Sequence, residues 1–318
     1  MHAIGVSSYL RSRKANQLTV LSLHRISDKR NTFWNPIKPA TFEELLVYAK
    51  KHYEVIGFKE LHERHEAKTS KPLLILSFDD GYYDFYEYAL PLLVKHDLPS
   101  NHNIVYECAE NQLTIWTERL NVLFEFFLKN SVPVEIDFGN RNSKRENYDS
   151  WMAFYLDTFK TLLNLPVVQR NSVLKELSTK ADVDTSQRMM NWDEIKECAS
   201  NGVEIGSHSY SHDSIGTISE TDSLKKEVLG SKTAIESKLG KDVDVFALPN
   251  GQTGEKADSL ISESDYKFVL YANDELNQMP LTYHQTPIQI SRINLVDEPF
   301  PQMALRLEQF HKLLRSYV

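Results

Sequence analysis

Short apolar runs alternate with helix-like segments along most of the chain. Seven runs rich in Leu, Ile, Val or aromatic residues predict buried strands, and they cover residues 18–23, 72–78, 101–106, 202–207, 242–248, 266–272 and 287–293. Alternation of strand and helix is typical of a parallel sheet. The sequence therefore predicts an α/β fold of about seven strands, closed or nearly closed into a barrel.

Two of the helix-like segments carry recognisable ends. In "TFEELLVYAKKHY", Thr41 and Glu44 stand at the spacing of a capping box, which predicts that a helix begins there. In "SETDSLKKEVLGSKTAIESKLG", Gly240 follows the last apolar residue. Glycine is the residue that most readily takes the left-handed conformation at a helix C-terminus, so this helix is predicted to end at Gly240.

Residues 107–186 break the alternation. This interval of about 80 residues after the third predicted strand is far longer than an ordinary connection. The aromatic-rich pieces "TIWTERLNVLFEFFLKN" and "YDSWMAFYLDTFKTLLN" predict helices here. We interpret residues 107–186 as a helical insertion within a single domain spanning residues 1–318. A packing appendage and a substrate-binding wall or lid remain alternative roles for it.

Composition narrows the class of protein. With 318 residues, of which 41% are hydrophobic, the chain can bury a substantial core. Its net charge of -8, with acids and bases mixed along the chain, provides no basic stripe and argues against a nucleic-acid partner. Cys108 and Cys198 lie far apart, which indicates buried thiols rather than a disulfide framework or a cysteine zinc site.

The chain ends bear on localisation. The first residues, "MHAIGVSSYLRSRKANQ", lack the apolar segment of a secretory signal, and no run reaches the length of a membrane span. The expected localisation is cytoplasmic, with the inner face of the membrane as an extension of it. The amphipathic stretch "PQMALRLEQFHKLLRSYV" is expected to pack on the barrel, and a membrane surface is its alternative contact.

Polar residues follow two of the predicted strands directly. Asp79 and Asp80 end the strand "LLILSF", in "FDDG", and His208 and His212 follow "GVEIGS". The carboxyl ends of parallel strands are where active sites are built. A turn is the simpler explanation of "DDG" taken alone. One carboxylate and two imidazoles, however, form a ligand set for a catalytic metal that leaves coordination positions open, and the neighbouring aspartate is then placed to act as a base.

Three successive motifs resemble those of a known family. They are "SFDDGYYDFYEYALPLLVKHDLPSNHNIV", "IGSHSYSHDSI" and "VFALPNG", and they resemble the polysaccharide deacetylases of carbohydrate esterase family 4, the NodB homology domain, over residues 18–106 and 187–295. The resemblance implies a distorted, incomplete (β/α) barrel and metal-dependent removal of acetyl groups from carbohydrate. Zn²⁺ is the first metal that it implies, with Co, Ni and Fe as alternatives.

The resemblance also implies roles for individual residues. Asp79 matches the general base of the family. Asp80, His208 and His212 match its metal ligands. The motif that contains Leu248 and Pro249 resembles the one whose backbone amide binds the oxyanion, and Leu248 is the candidate because proline has no N–H.

The chain departs from the family pattern at two positions. The third motif lacks the arginine that orients the catalytic aspartate; Arg292 is a candidate to replace it, and an exposed or structural arginine is the alternative. The usual C-terminal Leu-x-His, which supplies a general acid, is also missing. "TVLSLHRIS" resembles the histidine-bearing N-terminal strand of the permuted poly-N-acetylglucosamine-type exopolysaccharide deacetylases, which implies that His24 is the acid. His284 is the reserve candidate.

Together these features predict a hydrolase that removes N-acetyl groups from an amino-sugar glycan. The carbohydrate partner is a polysaccharide, an oligosaccharide or a lipid-linked sugar, and a lipid-linked sugar would bring peripheral membrane association. Deformylation of a formamido sugar and a catalytically inactive carbohydrate-binding relative remain alternatives. A glycoside hydrolase that uses Asp79 with a second carboxylate, and needs no metal, is a third.

Overall fold

The computed structural model describes residues 16–63, 71–279, 281 and 287–310. Its strands are β1 (Gln17–Leu23), β2 (Glu54–Val55), β3 (Leu73–Phe78), β4 (Ser100–Ile104), β5 (Glu135–Asp137), β6 (Asn142–Lys144), β7 (Val203–Ser207), β8 (Val245–Ala247), β9 (Phe268–Tyr271), β10 (Asn277–Gln278), β11 (Ile288–Ser291) and β12 (Ile293–Asn294). The seven predicted apolar runs overlap β1, β3, β4, β7, β8, β9 and β11. These seven strands are parallel neighbours in that order.

The sheet curls until its two edges meet. Strand β11 pairs with β9, and β12, which follows after a single residue, pairs with β1 through Leu21–Ile293 and Ser22–Asn294. Arg292 is the residue between β11 and β12, so the chain crosses from one edge strand to the other at this point. At the opposite end of β1, β10 pairs with it in antiparallel orientation. The result is a distorted, nearly closed (β/α) barrel, which confirms the predicted fold class.

Helices connect the strands and cover the barrel. They are α1 (Pro39–His52), α2 (Phe58–Glu63), α3 (Leu90–His96), α4 (Tyr106–Asn111), α5 (Trp116–Lys129), α6 (Trp151–Asn164), α7 (Val167–Thr179), α8 (Trp192–Ser200), α9 (Thr221–Lys225), α10 (Ser231–Leu239), α11 (Glu255–Ser262) and α12 (Phe300–Leu307). Short π-helical turns precede α3 and α10. Within the described ranges, every helix is too short or too polar to cross a membrane.

One predicted helix end is wrong and the other is confirmed. Helix α1 begins at Pro39, and its N-cap Lys38 makes no side-chain capping bond. Proline favours the first helical position because its φ is already helical. The helix therefore starts before Thr41, and the predicted capping box of Thr41 and Glu44 does not form. Helix α10 ends as predicted at Gly240, whose φ of 65° is left-handed.

Alternate residues of a strand belong to different apolar clusters, because successive side chains point to opposite faces of a sheet. Val20 and Ile75 lie inside the barrel. Leu21 and Leu74 instead pack against the covering helices, in a cluster that also contains buried residues of α1 and α12. For its described residues, the C-terminal stretch thus packs on the barrel as expected; residues 311–318 lie outside the described ranges. Both cysteines are buried and free, as predicted.

Residues 107–186 form an apolar cluster of their own. Most of its buried side chains come from α5, α6 and α7, namely Trp116, Leu120, Leu123, Phe124, Phe127, Phe154, Tyr155, Leu162, Val173, Leu174 and Leu177. The same cluster includes Phe33, which follows β1, and Tyr82, which follows β3. The segment therefore packs directly on loops at the carboxyl ends of the barrel strands.

A buried arginine strengthens this contact. The Arg25 guanidinium donates to Asp84 at 2.7 Å and to Glu118 of α5 at 2.7 Å, and it lies over the Tyr82 ring. Asn121 donates to the second oxygen of Glu118 at 3.0 Å. A buried charge without partners costs several kcal/mol. The Arg25 charge therefore favours the position of α5 in which Glu118 accepts its hydrogen bond. The network thus fixes the 107–186 segment against the barrel.

We predict that Glu118→Gln lowers the free energy of unfolding by about 2 kcal/mol, because a buried bond between charged groups becomes a weaker one and the Arg25 charge loses a partner. Glu176→Gln is the matched control on α7, since Glu176 is exposed and its bond to Lys180 is an i, i+4 surface pair; it should cost about 0.5 kcal/mol or less. Denaturant unfolding monitored by circular dichroism measures both. Equal losses would show that Arg25 does not depend on Glu118.

Candidate metal and catalytic site

The predicted site residues meet in one cavity at the carboxyl ends of the strands. His24 follows β1, Asp79 and Asp80 follow β3, His208 follows β7 and Leu248 follows β8. Together with His212 they line a cavity of about 410 Å³. A larger cavity, of about 670 Å³, lies at the opposite end of the barrel, where β7 and β8 begin, which is not the end at which parallel α/β barrels build active sites.

Asp80, His208 and His212 converge on one point. The Nε2 atoms of His208 and His212 each lie 3.4 Å from Oδ1 of Asp80, and one ligand atom from each of the three residues lies within 4.8 Å of the others. Donors about 2.1 Å from a tetrahedral ion lie about 3.4 Å from one another. The three groups are therefore spaced as ligands of a common cation.

The hydrogen bonds around these groups also fit a metal. His208 Nδ1 lies 2.9 Å from the Ala247 carbonyl oxygen, so this nitrogen carries the proton and donates, which leaves the lone pair of Nε2 facing the site. Oδ1 of Asp80 is buried and has no hydrogen-bond partner among the described residues. Burial raises the pKa of Asp80, but the two histidines outweigh burial and hold it well below its usual range. The residues present therefore fit a divalent cation.

Two of the three ligands have unusual backbone conformations. Asp80 has a φ of 82° and His212 a φ of 63°, in the region that residues other than glycine rarely occupy. Glu227, on the π-helical turn before α10, holds the loop that contains His212. Its carboxylate accepts bonds from the backbone N–H of Tyr210 and from the N–H and hydroxyl of Ser211, at 2.7 to 3.1 Å. Backbone conformations such as those of Asp80 and His212 persist only where surrounding contacts impose them.

Asp79 has different partners from Asp80. Nη1 of Arg292 donates to Oδ1 of Asp79 at 2.9 Å and forms an ion pair with Oδ2 at 2.8 Å, and Asn103 donates to Oδ1 at 2.8 Å. Burial alone raises the pKa of Asp79, but Arg292 and His208 outweigh it and hold the pKa below its usual value. Arg292 is itself only 1% exposed. The alternative of an exposed arginine is therefore wrong, and Arg292 lies where an arginine that orients Asp79 belongs.

The turn that carries both aspartates rests on a histidine of the neighbouring strand. The Gly81 N–H donates to Nε2 of His102 at 3.1 Å. Burial lowers the pKa of His102 to about 4, so its ring is neutral and can accept this bond. His102 and Asn103 both lie in β4, in "NHNIV". Polar residues inside a strand that is otherwise buried were the sequence signal for them, and the sequence interpretation missed both.

His24 lies in the same cavity, at the end of β1. Its ring is half-buried and meets Trp34 edge-on, with 5.3 Å between ring centres. Burial lowers its pKa and the carboxylates of Asp80 and Asp79 oppose that effect, with a net shift downward. The reserve acid candidate, His284, lies outside the described residues.

Leu248 lines the cavity but cannot act as predicted. Its backbone N–H donates to the Leu270 carbonyl at 3.1 Å, because pairing between β8 and β9 continues one residue past the end of β8. The expectation that this amide binds an oxyanion is therefore wrong. Asn250, two residues later, also lines the cavity, and its buried side-chain nitrogen has no hydrogen-bond partner among the described residues. The sequence interpretation had assigned Asn250 no role.

The 107–186 segment forms one wall of the cavity. Thr117 and Asn121 of α5 and Tyr155, Leu156, Phe159 and Leu163 of α6 line it opposite the barrel residues. The predicted insertion is therefore in contact with the space that a substrate would occupy.

Comparison with known proteins agrees with this geometry. The family model for polysaccharide deacetylase matches residues 168–269. This range contains His208, His212 and Leu248, whereas Asp79 and Asp80 lie before it and are joined to it by the folded geometry. No curated protein matches the sequence.

Solved deacetylase structures have the same fold. IcaB from Ammonifex degensii is 15% identical, with a TM-score of 0.61 over 93% of this chain and 98% of that one. The Streptococcus pyogenes deacetylase PplD, solved with acetate, is 15% identical, with a TM-score of 0.60 over 92% and 98%. The BpsB deacetylase domain from Bordetella bronchiseptica is 18% identical, with a TM-score of 0.54 over 89% and 97%. The family match over residues 168–269 and the shared fold both agree with the resemblance to polysaccharide deacetylases that the motifs indicated.

Proposed function

We propose that the protein is a metal-dependent hydrolase that removes N-acetyl groups from an amino-sugar glycan. The family match supports carbohydrate de-N-acetylation as the reaction class. The observation that carries the proposal is the convergence of Asp80, His208 and His212 on one point, beside a second carboxylate, Asp79, that has its own cationic partner. One aspartate is thus free for proton transfer while the other holds a cation.

Zn²⁺ is the metal that we propose, because two neutral imidazoles and one carboxylate form a common ligand set of catalytic zinc. When bound, such a cation polarises a carbonyl oxygen and lowers the pKa of a coordinated water. The chain supplies the ligands, excludes bulk water from them by burial, and fixes the tautomer of His208 through the Ala247 carbonyl.

Asp79 is the proposed general base. Oδ1 already accepts bonds from Asn103 and Arg292. Oδ2 lies 2.8 Å from Nη1 of Arg292 and 4.0 Å from Nε2 of His208, so it is the oxygen nearer to the ligand cluster. Because Arg292 keeps the carboxylate ionised, Asp79 can accept the proton of the attacking water rather than donate one.

His24 is the proposed general acid. Cleavage of the C–N bond leaves an amine that must take up a proton, and His24 is a titratable group lining the same cavity with no role in the ligand cluster. Its lowered pKa means that the resting ring is neutral at pH 7. The proton that it delivers must therefore be taken up during the catalytic cycle.

Asn250 replaces Leu248 as the proposed oxyanion donor. Its side-chain nitrogen is buried beside the cavity and lacks a partner, and an amide N–H aimed at developing negative charge stabilises the transition state. The left-handed backbone of Asn250, with a φ of 55°, presents the side chain at the end of β8.

Acetate release from N-acetylglucosamine oligomers tests the proposal. We expect release that a chelator abolishes and added Zn²⁺ restores, because the three ligands hold the cation that the reaction needs. Formate release from a formamido sugar with no acetate release would indicate the deformylase. Bound metal without release of either acid would indicate an inactive relative, and chelator-resistant cleavage of the sugar chain would indicate a glycosidase.

The two neighbouring aspartates should respond differently to the same substitution. Asp79→Asn should lower kcat by about 10²-fold or more, since a general base typically contributes 10²- to 10⁴-fold, while zinc content stays near one ion per chain. Asp80→Asn should lower both kcat and the zinc content, because it removes a ligand. Zinc content by mass spectrometry and acetate release measure the two effects. Loss of zinc from the Asp79 variant would remove the distinction on which the mechanism rests.

A substrate whose leaving group needs no proton tests His24. We expect His24→Gln to lower kcat on an N-acetyl sugar by about 10²-fold, and to change kcat on 4-nitrophenyl acetate only a few-fold, because nitrophenolate leaves unprotonated. Equal losses on both substrates would show that His24 positions the substrate or the metal instead. Steady-state kinetics on the two substrates gives the comparison.

A further inference from the structure

Helix α6 carries two apolar stripes. One is buried in the cluster of the 107–186 segment and includes Phe154 and Leu162. The second consists of Met152, Leu156, Phe159 and Leu163, whose spacing of four, three and four residues places them on one helical face. Met152 is 38% exposed and Leu156 is 44% exposed. A helix that is packed on just one side needs a single apolar stripe, so the second stripe requires its own explanation.

The second stripe faces the catalytic cavity. Leu156, Phe159 and Leu163 line it together with Asp79 and the candidate metal ligands. Val296, which is 37% exposed and follows β12, lines the same cavity. Single exposed apolar residues are ordinary, but several apolar residues on one helical face beside a polar reactive centre are typical of a ligand groove. We call the cavity-lining part of this stripe, Leu156, Phe159 and Leu163, the apolar wall.

The apolar wall is held in place without a ligand. Phe159 stacks on Trp116 of α5, with 5.6 Å between ring centres. The neighbouring Tyr155 stacks on Phe33 and donates its hydroxyl to Asn121, which is bonded to Glu118 in the Arg25 network. These contacts tie α6 to the loop after β1. The wall is therefore a built part of the cavity.

The chemistry of the wall selects among substrates. Leucine and phenylalanine side chains offer no hydrogen-bonding groups, so sugar hydroxyls that lie against them lose water without compensation. A second sugar residue along this wall would lose hydrogen bonds to water and gain none from the protein, whereas an aliphatic chain would be stabilised by burial there. If the proposed de-N-acetylation is correct, we infer that the site takes an amino sugar bearing an aliphatic chain, as in a glycolipid or lipid-linked sugar, with the chain lying along the apolar wall.

Binding of small glycosides tests this inference separately from catalysis. Dissociation constants of the methyl and hexyl glycosides of N-acetylglucosamine, and of its β-1,4-linked dimer, are measured by calorimetry on the zinc-loaded Asp79→Asn protein, whose turnover is expected to be slower by about 10²-fold or more. Each CH₂ group buried is worth about fourfold in affinity. We expect the hexyl glycoside to bind at least about tenfold more tightly than the methyl glycoside and more tightly than the dimer.

Two leucine variants locate the chain. Leu156→Ser, added to the Asp79→Asn protein, should reduce the hexyl-to-methyl affinity ratio several-fold. Leu113→Ser is the matched control, because Leu113 is 47% exposed but lies on a different cavity; it should leave the ratio unchanged. A ratio near one, tighter binding of the dimer, or equal effects of the two variants would overturn the inference.

The outcomes that contradict the proposed function differ from those that contradict the inference about the apolar wall. If the wild-type protein releases acetate from the dimer but the hexyl chain adds no affinity, the function stands and the apolar wall has no role in selecting an aliphatic chain. If the hexyl chain adds affinity that Leu156→Ser removes, but no glycoside releases acetate, the wall is supported and the proposed reaction is wrong.

Discussion

The buried pair of Arg292 and Asp79 joins the closure of the barrel to the chemistry of the site. Arg292 stands between the strand that pairs with β9 and the strand that pairs with β1, and its backbone N–H donates to Tyr271. Its guanidinium reaches Asp79 at the end of β3. Burying either charge alone would cost several kcal/mol. The barrel therefore has to close in this register for both charges to be satisfied, and closure in turn places Arg292 in the cavity that contains Asp79 and the candidate metal ligands.

The parts of the structure that could be predicted are those governed by local pattern. Buried strands of a parallel sheet are continuous apolar runs, so all seven appear in the sequence, and strand order then brings His24, Asp79 and His208 to one end of the barrel. Gly240 could be placed because its conformation is a property of one residue. The candidate metal ligands could be proposed because they lie in the segments that follow two predicted strands, and their convergence depends on the parallel arrangement of those strands.

What the sequence left open or predicted wrongly concerns interactions between distant residues or competition between neighbouring signals. Arg292 and Asp79 are 213 positions apart, and nothing local distinguishes this arginine from an exposed one, so the sequence offered it only as a candidate. The prediction for the Leu248 amide was wrong because strand pairing extends one residue past the end of β8 and uses the donor. At α1 two start signals competed, and Pro39 prevailed because its fixed φ begins the helix before Thr41 can cap it.

The barrel and the 107–186 segment contribute side chains of different chemistry to the cavity. The barrel supplies the charged groups, which stay in place because strands, the Glu227 bonds and the His102 contact leave them little freedom. The 107–186 segment supplies aromatic and aliphatic side chains, and its own core together with Phe33 of the loop after β1 holds α6. On the face of α6 towards the cavity, Phe159 is fixed by stacking on Trp116, whereas Leu156 remains 44% exposed. Because Arg25 keeps the segment aligned on the barrel through Glu118, the charged groups of the cavity and the apolar side chains of α6 come from separate parts of the fold and still face one space.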